Sequence, residues 1–197
     1  MPTLHLLRHG ALPPNPDHRF IGQQDLPLSD EGRRQARFWQ QEFSVMTLTE
    51  VWTSDLARCR ETAAIVMAQR TLPLHIDASF REISLGCWEG LTKAEVEKRF
   101  PGAVATRGQD FWNYVPCGGE SFSMLSRRVM AALHRRLAGL GPEDSALLVA
   151  HAGVNRMILM HHFALGMEDF FALPQPYGAC TSLVLSSDDI AVLASAF

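Results

Sequence analysis

The sequence predicts an α/β fold, and two observations carry that expectation. Thr3–Leu7 and Ala146–Ala150 are short apolar runs that read as buried strands, and each leads into a histidine with a glycine close behind. The segments between and after them carry helix caps and inward-facing apolar positions, so strands alternate with helices along the chain. With 197 residues, 47% of them hydrophobic, the chain suits a single domain spanning 1–197 around one sizeable core.

The first strand stops on Arg8, His9 and Gly10, and Pro13, Pro14 and Pro16 then prevent an immediate helix or ladder. A cation, an imidazole and a glycine thus stand at the carboxyl end of a core strand, where open α/β sheets place ligands. Arginine offers a planar fork of donors suited to phosphate. Histidine offers a nitrogen that is nucleophilic near neutral pH, and glycine lets backbone approach a ligand closely. Strand-to-loop turns often carry such residues, so the weight of this tripeptide depends on its partners.

Ala11–Leu28 is a long loop dense in turn residues, with Asn15, Arg19, Gly22, Gln23 and Asp25 able to line a pocket. Ser29 or Asp30 caps a helix to about Phe43, with Arg33, Arg34 and Arg37 on its solvated face. Glu50–Thr53 is a second strand, and Ser54 and Asp55 are both good caps for a helix from Leu56 to about Gln69. Arg58 falls in the first turn of that helix, where a cation is unfavourable unless an anion sits with it or Glu61 or Asp55 pairs with it.

Leu72–Asp77 reads as a third strand, weakened by Pro73. Phe80–Leu91 is an ordered loop with two carboxylates, Glu82 and Glu89, each able to serve as a general acid or to cap locally. Thr92 and Glu95 form a capping box for a helix to Phe100. Residues 84–120 read as a partly helical cover, with Phe111, Trp112 and Tyr114 packing it on the core. Ser121 to about Leu137 is a helix whose arginines, Arg127, Arg128, Arg135 and Arg136, fall mostly on the solvated side. After the strand at Ala146–Ala150 come His151, Ala152 and Gly153, then a helix from about Val154 to Leu165. Within it, His161 and His162 point in two directions and read as packing residues rather than metal ligands. Cys180–Ser186 and Ile190–Ala194 form a terminal hairpin about Ser187–Asp189.

Composition excludes several classes of function. A net charge of −3 offers no basic field for nucleic acid or anionic membrane. No run approaches the ~20 apolar residues of a membrane span. The amino terminus shows no basic segment followed by an apolar signal core, so the expectation is a cytoplasmic protein. Cys59, Cys87, Cys117 and Cys180 are far apart in sequence, and reduced structural thiols are the expectation. No residues show metal-ligand spacing, and no metal or other cofactor is expected.

Strand ends and helix starts bring Arg8, His9, Arg58 and His151 to one rim, with Glu82 on an adjoining loop. Two arginines and two histidines around one point invite a dianion. In this register the chain resembles the histidine phosphatase superfamily, which includes the cofactor-dependent phosphoglycerate mutases. The resemblance is carried by Leu6–Gly10, Arg19–Gly22 with Asp25–Ser29, Ser54–Arg58, Glu82 with Gly86–Gly90, and Val149–Gly153, and more weakly by Gly118–Ser121. Each motif alone is weak, but together they follow the family's order through most of the chain.

The resemblance implies a three-layer α/β/α sandwich with a mostly parallel central sheet, of phosphoglycerate mutase-like fold. It implies that His9 is the nucleophile that becomes a phosphohistidine, and that Arg8, Arg58 and His151 complete the phosphate pocket. It implies further phosphate contact from Asn15, with Gly22, Gln23 and the Ala152 amide as secondary contacts, and a general acid and base role for Glu82. The mechanism also requires that His9 attack with a neutral nitrogen, so its other nitrogen should donate to a fixed acceptor such as a backbone carbonyl. His151, if protonated, would add charge and a donor at the transferring oxygens.

The chain departs from the family pattern at Ala11–Pro14, where an acidic or polar residue and a hydroxyl residue usually follow the glycine. Leu85 stands where mutases tend to carry a tyrosine, and the cover lacks their adjacent arginine pair, although Lys93 could serve in part. The leading expectation is a metal-independent phosphomonoesterase acting on a small phosphorylated metabolite, with α-ribazole-5′-phosphate as the candidate and a homodimer compatible with the sequence. The alternatives are a cofactor-dependent phosphoglycerate mutase and a non-catalytic phospho-ligand or protein-binding member of the fold.

Overall fold

The computed structural model describes residues 1–186 and Asp189. The elements are β1 (Thr3–Arg8), α1 (Asp30–Ser44), β2 (Glu50–Thr53), α2 (Ala57–Val66), β3 (Leu74–Ile76), α3 (Lys93–Arg99), α4 (Ala103–Gln109), α5 (Phe122–Leu137), β4 (Ser145–Ala150), α6 (Ala152–His162) and β5 (Cys180–Val184). They form a three-layer α/β/α sandwich. The central sheet runs in the order β3-β2-β4-β1-β5, parallel throughout except for the antiparallel edge strand β5. The expected second strand of the terminal hairpin, Ile190–Ala194, lies outside the described residues.

Alternation along the strands sorts the core into two layers. Leu4, Leu6, Trp52, Ala146, Leu148 and Ala150 pack with residues of α5 and α6, among them Leu125, Val129, Met157 and Ile158. Leu7, Val51, Leu147 and Val149 pack on the other face against Phe43 of α1 and Cys59, Ala63 and Val66 of α2. Burial on both faces explains why β1 and β4 read as apolar runs rather than as alternating ones. His5, the polar interruption in β1, is a satisfied core residue that bonds Ser182 Oγ at 2.7 Å and Ser145 Oγ at 3.1 Å.

Most caps fall where expected. The Ser29 side chain accepts from the Gly32 amide, Ser121 accepts from Met124, and Thr92 and Glu95 close the capping box. The amino end of α2 differs. Its cap residue is Leu56, which makes no side-chain bond, and Asp25 Oδ1 reaches across to accept from the Ala57 amide at 2.6 Å. Ser54 and Asp55 are engaged elsewhere, Ser54 with His151 and Asp55 with Arg81. The helix also ends at Val66 rather than Gln69, and α6 runs from Ala152 to His162 rather than from Val154 to Leu165.

Arg8 lies opposite Ala150 in the parallel register of β1 and β4. The chain leaves β1 toward α1 on one face and leaves β4 into α6 on the other, so a topological switch point opens at their carboxyl ends. The turn after β1 is pressed onto the first turn of α1. A Cβ on Gly32 would lie 2.2 Å from the Ala11 carbonyl oxygen, and one on Gly10 would lie 2.3 Å from the Gly32 carbonyl oxygen. Gly32→Ala should therefore destabilise the fold by about 1–3 kcal/mol through overpacking. Thermal unfolding should show a melting point lower by several degrees, and an unchanged one would contradict this account of the contact.

Candidate active site

Each histidine stands one residue past the end of its strand. The His9 amide continues the ladder to the Ala150 carbonyl at 3.0 Å, and the rings of His9 and His151 meet edge to face with centroids 5.1 Å apart. His9 Nδ1 donates to the Gly10 carbonyl at 2.8 Å. That bond selects the tautomer with a lone pair on Nε2, the nitrogen left to face the cavity. Burial, with Arg58 and Arg8 nearby, holds the His9 pKa well below its ordinary value of 6.5, so the ring stays neutral.

The cavity has a volume of about 210 Å³, and Arg8, His9, Gly22, Arg58, Glu82 and Tyr177 are among the residues that line it. Arg58 is almost wholly buried at the start of α2. It donates to the Gln24 and Gly22 carbonyls at 2.6 and 2.8 Å and, through Nε, to His151 Nδ1 at 3.3 Å. Arg8 donates to the Gln175 carbonyl and stacks on Tyr177, its guanidinium carbon 3.9 Å from the ring centre, while its buried Nε has no hydrogen-bond partner. Among the described residues neither arginine forms an ion pair with a carboxylate, although Glu82 is near enough to act on Arg8 electrostatically. Two guanidiniums held this way favour an anion in the cavity.

Glu82 closes the opposite wall. Its Oε1 accepts from the Ile83 amide at 2.9 Å, and its Oε2 accepts from the Gly153 amide in the first turn of α6 at 3.1 Å. A Cβ on Gly153 would lie 2.2 Å from Oε1, so a larger residue there would displace the carboxylate from this position. Arg128 holds the Glu82 main chain: it donates to the carbonyls of Ser79, Arg81 and Glu82 and to the Glu120 carboxylate. The expectation of a solvated Arg128 is thus corrected. Glu89 ties the Phe80–Leu91 loop to the loop after β1, its Oε1 accepting from the Gln23 and Leu85 amides at 2.9 and 3.0 Å.

Other expected residues take different places. Asn15 does not line the cavity; its amide group bonds the Arg19 carbonyl and amide at 2.8 and 2.9 Å and braces the loop. Gln23 also stands off the cavity and donates to the Glu82 carbonyl at 3.0 Å. Ala152 is the first residue of α6, beside His151. His151 is fully buried and directs both nitrogens at protein: Nδ1 accepts from Arg58, and Nε2 lies 2.9 Å from Ser54 Oγ. Burial and the adjacent His9 and arginines lower its pKa well below 6.5, so the ring is neutral and does not add the charge that a protonated ring would supply. Donation from it to a phosphoryl oxygen would require one of these bonds to exchange. No local pattern in the sequence marks Tyr177, and the pairing of Ser54 with His151 is not visible from its capping position.

Beside this cavity, and sharing Ile83 and Leu85 with it, lies a second one of about 370 Å³ lined by Phe20, Trp88, Phe111, Phe122 and Arg107 among others. The Arg107 guanidinium lies 5.5 and 5.6 Å from the Trp88 and Phe122 ring centres and forms no ion pair among the described residues. No three His, Cys, Asp or Glu side chains gather to hold a metal ion among the described residues, and no helix there is long and apolar enough to cross a membrane.

Burial also lowers the pKa of His5 and His161, so these four histidines bind protons less readily when folded than when unfolded, where they titrate near pH 6.5. Stability should be complete above that value and fall as pH drops through it, by at most about 1.4 kcal/mol per pH unit for each histidine kept neutral. Melting temperatures should stay level between pH 7.5 and about 6.5 and fall from there to pH 5.5. A flat or rising profile would contradict the neutral-histidine assignment.

Comparison with known proteins matches the geometry to a family. The chain is 34% identical over 158 residues to a glucosyl-3-phosphoglycerate phosphatase of Mycolicibacterium vanbaalenii, covering 77% of this chain and 69% of that protein. It is 30% identical over 194 residues to an adenosylcobalamin/alpha-ribazole phosphatase of Salmonella typhimurium, covering 93% and 96%. Among solved structures, the alpha-ribazole phosphatase of Shigella flexneri superimposes with a TM-score of 0.86 at 25% identity, covering 94% of this chain and 91% of that one. The family model of branch 1 matches residues 4–196, and with the paired strand-end histidines this places the chain in the histidine phosphatase superfamily.

Proposed function

We propose that the protein is a phosphomonoesterase that hydrolyses a small phosphorylated metabolite through a phosphohistidine at His9. The observation that supports this best is the His9 tautomer: Nδ1 is tied to the Gly10 carbonyl, while Nε2 faces a cavity flanked by Arg8 and Arg58 with Glu82 across it. In this reading the arginines hold the phosphoryl oxygens and neutralise their charge, and no added metal is needed. Nε2 attacks phosphorus, the ester P–O bond breaks, and Glu82 in its acid form gives a proton to the departing oxygen. The Glu82 carboxylate then takes a proton from water, the water oxygen attacks phosphorus, and the P–N bond breaks to release phosphate. His151 and Ser54 set the angle of Arg58, while Gln23, Arg128 and the Gly153 amide set that of Glu82.

The apolar second cavity favours a leaving alcohol that carries a flat ring, as α-ribazole-5′-phosphate does. Arg107, which forms no ion pair among the described residues, supports a second reading, a leaving group that bears a carboxylate, as glucosyl-3-phosphoglycerate does. Phosphate release should be measured on both compounds, on 3-phosphoglycerate and on p-nitrophenyl phosphate, with no added metal. His9→Ala should reduce turnover about a thousandfold or more. Glu82→Gln should slow alkyl esters far more than p-nitrophenyl phosphate, whose leaving group departs without a proton. Arg107→Met should raise KM for the carboxylate compound and spare α-ribazole-5′-phosphate if the ring alone is read. Robust hydrolysis by His9→Ala would overturn the mechanism, and primer-dependent interconversion of phosphoglycerates without net hydrolysis would favour a mutase.

A further inference from the structure

Cys87 and Cys117 are thirty positions apart, yet their sulfur atoms lie 3.3 Å apart and both residues are exposed. All four cysteines are free thiols, as expected, but these two are neighbours in space despite their separation in sequence. The backbone fixes the approach: the Cys87 amide donates to the Cys117 carbonyl at 2.8 Å, and the Gly119 amide donates to the Pro116 carbonyl at 2.8 Å. Gly86, at φ +53°, permits the contact, since a Cβ there would lie 2.2 Å from the Cys117 carbonyl oxygen. The same seam continues as the Glu120 amide donates to the Ser84 carbonyl and the Ser84 amide to Glu120 Oε1, both at 2.9 Å. The thiols therefore meet at the end of a hydrogen-bonded junction and not by side-chain reach alone.

Most of the cover, α3 and α4 included, lies between these two cysteines. So do Trp88, Val104, Arg107 and Phe111 on the wall of the apolar cavity. We propose that Cys87 and Cys117 are a reversible dithiol–disulfide site that staples the two ends of the cover together. A low-molecular-weight disulfide such as oxidised glutathione is the oxidant class. One cysteine thiolate attacks a glutathione sulfur, forming a mixed disulfide and releasing the first glutathione. The second cysteine thiolate attacks the protein sulfur of that mixed disulfide and releases the second glutathione. The cysteines lose two hydrogens between them, and one disulfide is reduced to two thiols. The remaining cysteines are unsuited to this exchange, because burial pushes the Cys59 and Cys180 thiols up to about 12.

Closing a ring of about thirty residues should raise the melting temperature by roughly 5–10 °C. The test treats the intact chain with oxidised glutathione, alkylates the remaining thiols and maps peptides without reduction. The expected product is a Cys87–Cys117 linked peptide, accompanied by the rise in melting temperature and reversed by dithiothreitol. Cys87→Ser and Cys117→Ser should each keep a glutathione adduct on the remaining cysteine and show no such rise. Phenylarsine oxide, which bridges adjacent thiols, should bind the parent chain at one equivalent and neither variant, and this readout does not depend on disulfide formation. Separate adducts or alkylation at both cysteines of the parent chain, with no arsenical bridge, would overturn the site. A linked peptide with an unchanged melting temperature would overturn the staple.

Discussion

The parallel pairing of β1 with β4 is the constraint on which the site depends. Arg8 stands opposite Ala150, so the residues that follow, His9 and His151, emerge side by side. Shifting the register by one residue would turn the apolar side chains of β1 to the wrong layers, so the core that stabilises the sheet also fixes the spacing of the histidines. The two strands then leave toward opposite faces, and the gap between them is where the Arg8 side chain and the Arg58 side chain from α2 converge.

Convergence has an electrostatic consequence. Arg8 and Arg58 are held by backbone carbonyls rather than by carboxylates, which keeps their charge available at the cavity while fixing their orientation. Burial, together with the same charge, keeps His9 and His151 neutral. A nucleophile must present a lone pair, so the field that draws an anion into the cavity also prepares the group that would attack it. Glu82 is set against this field by amides from Ile83 and α6 and by the Arg128 grip on its backbone.

Much of this was legible in the sequence, for local reasons. The apolar runs of β1 and β4, the histidines that end them, the capping box at Thr92 and the placement of Arg58 in a first turn all follow from short-range pattern. What was not legible depends on contacts between distant segments. Ser54 and Asp55 read as caps because local chemistry favours it, but His151 and Arg81, far along the chain, compete for them. Arg128 reads as surface because helical periodicity does not reveal the carbonyls of Ser79, Arg81 and Glu82 waiting above it. Asn15 reads as a pocket residue, yet an amide in a turn finds the nearby Arg19 backbone first. Tyr177 and the Cys87–Cys117 contact arise only when loops remote in sequence fold together.

The central claim is that His9 carries the phosphoryl group covalently. Rapid mixing with a phosphate ester labelled with radioactive phosphorus, followed by an alkaline quench and peptide mapping, tests it most directly. The account predicts label on the peptide that contains His9, stable to base and lost in acid as a phosphoramidate is, and absent from His9→Ala. Steady phosphate release with no label on that peptide at any time would contradict it.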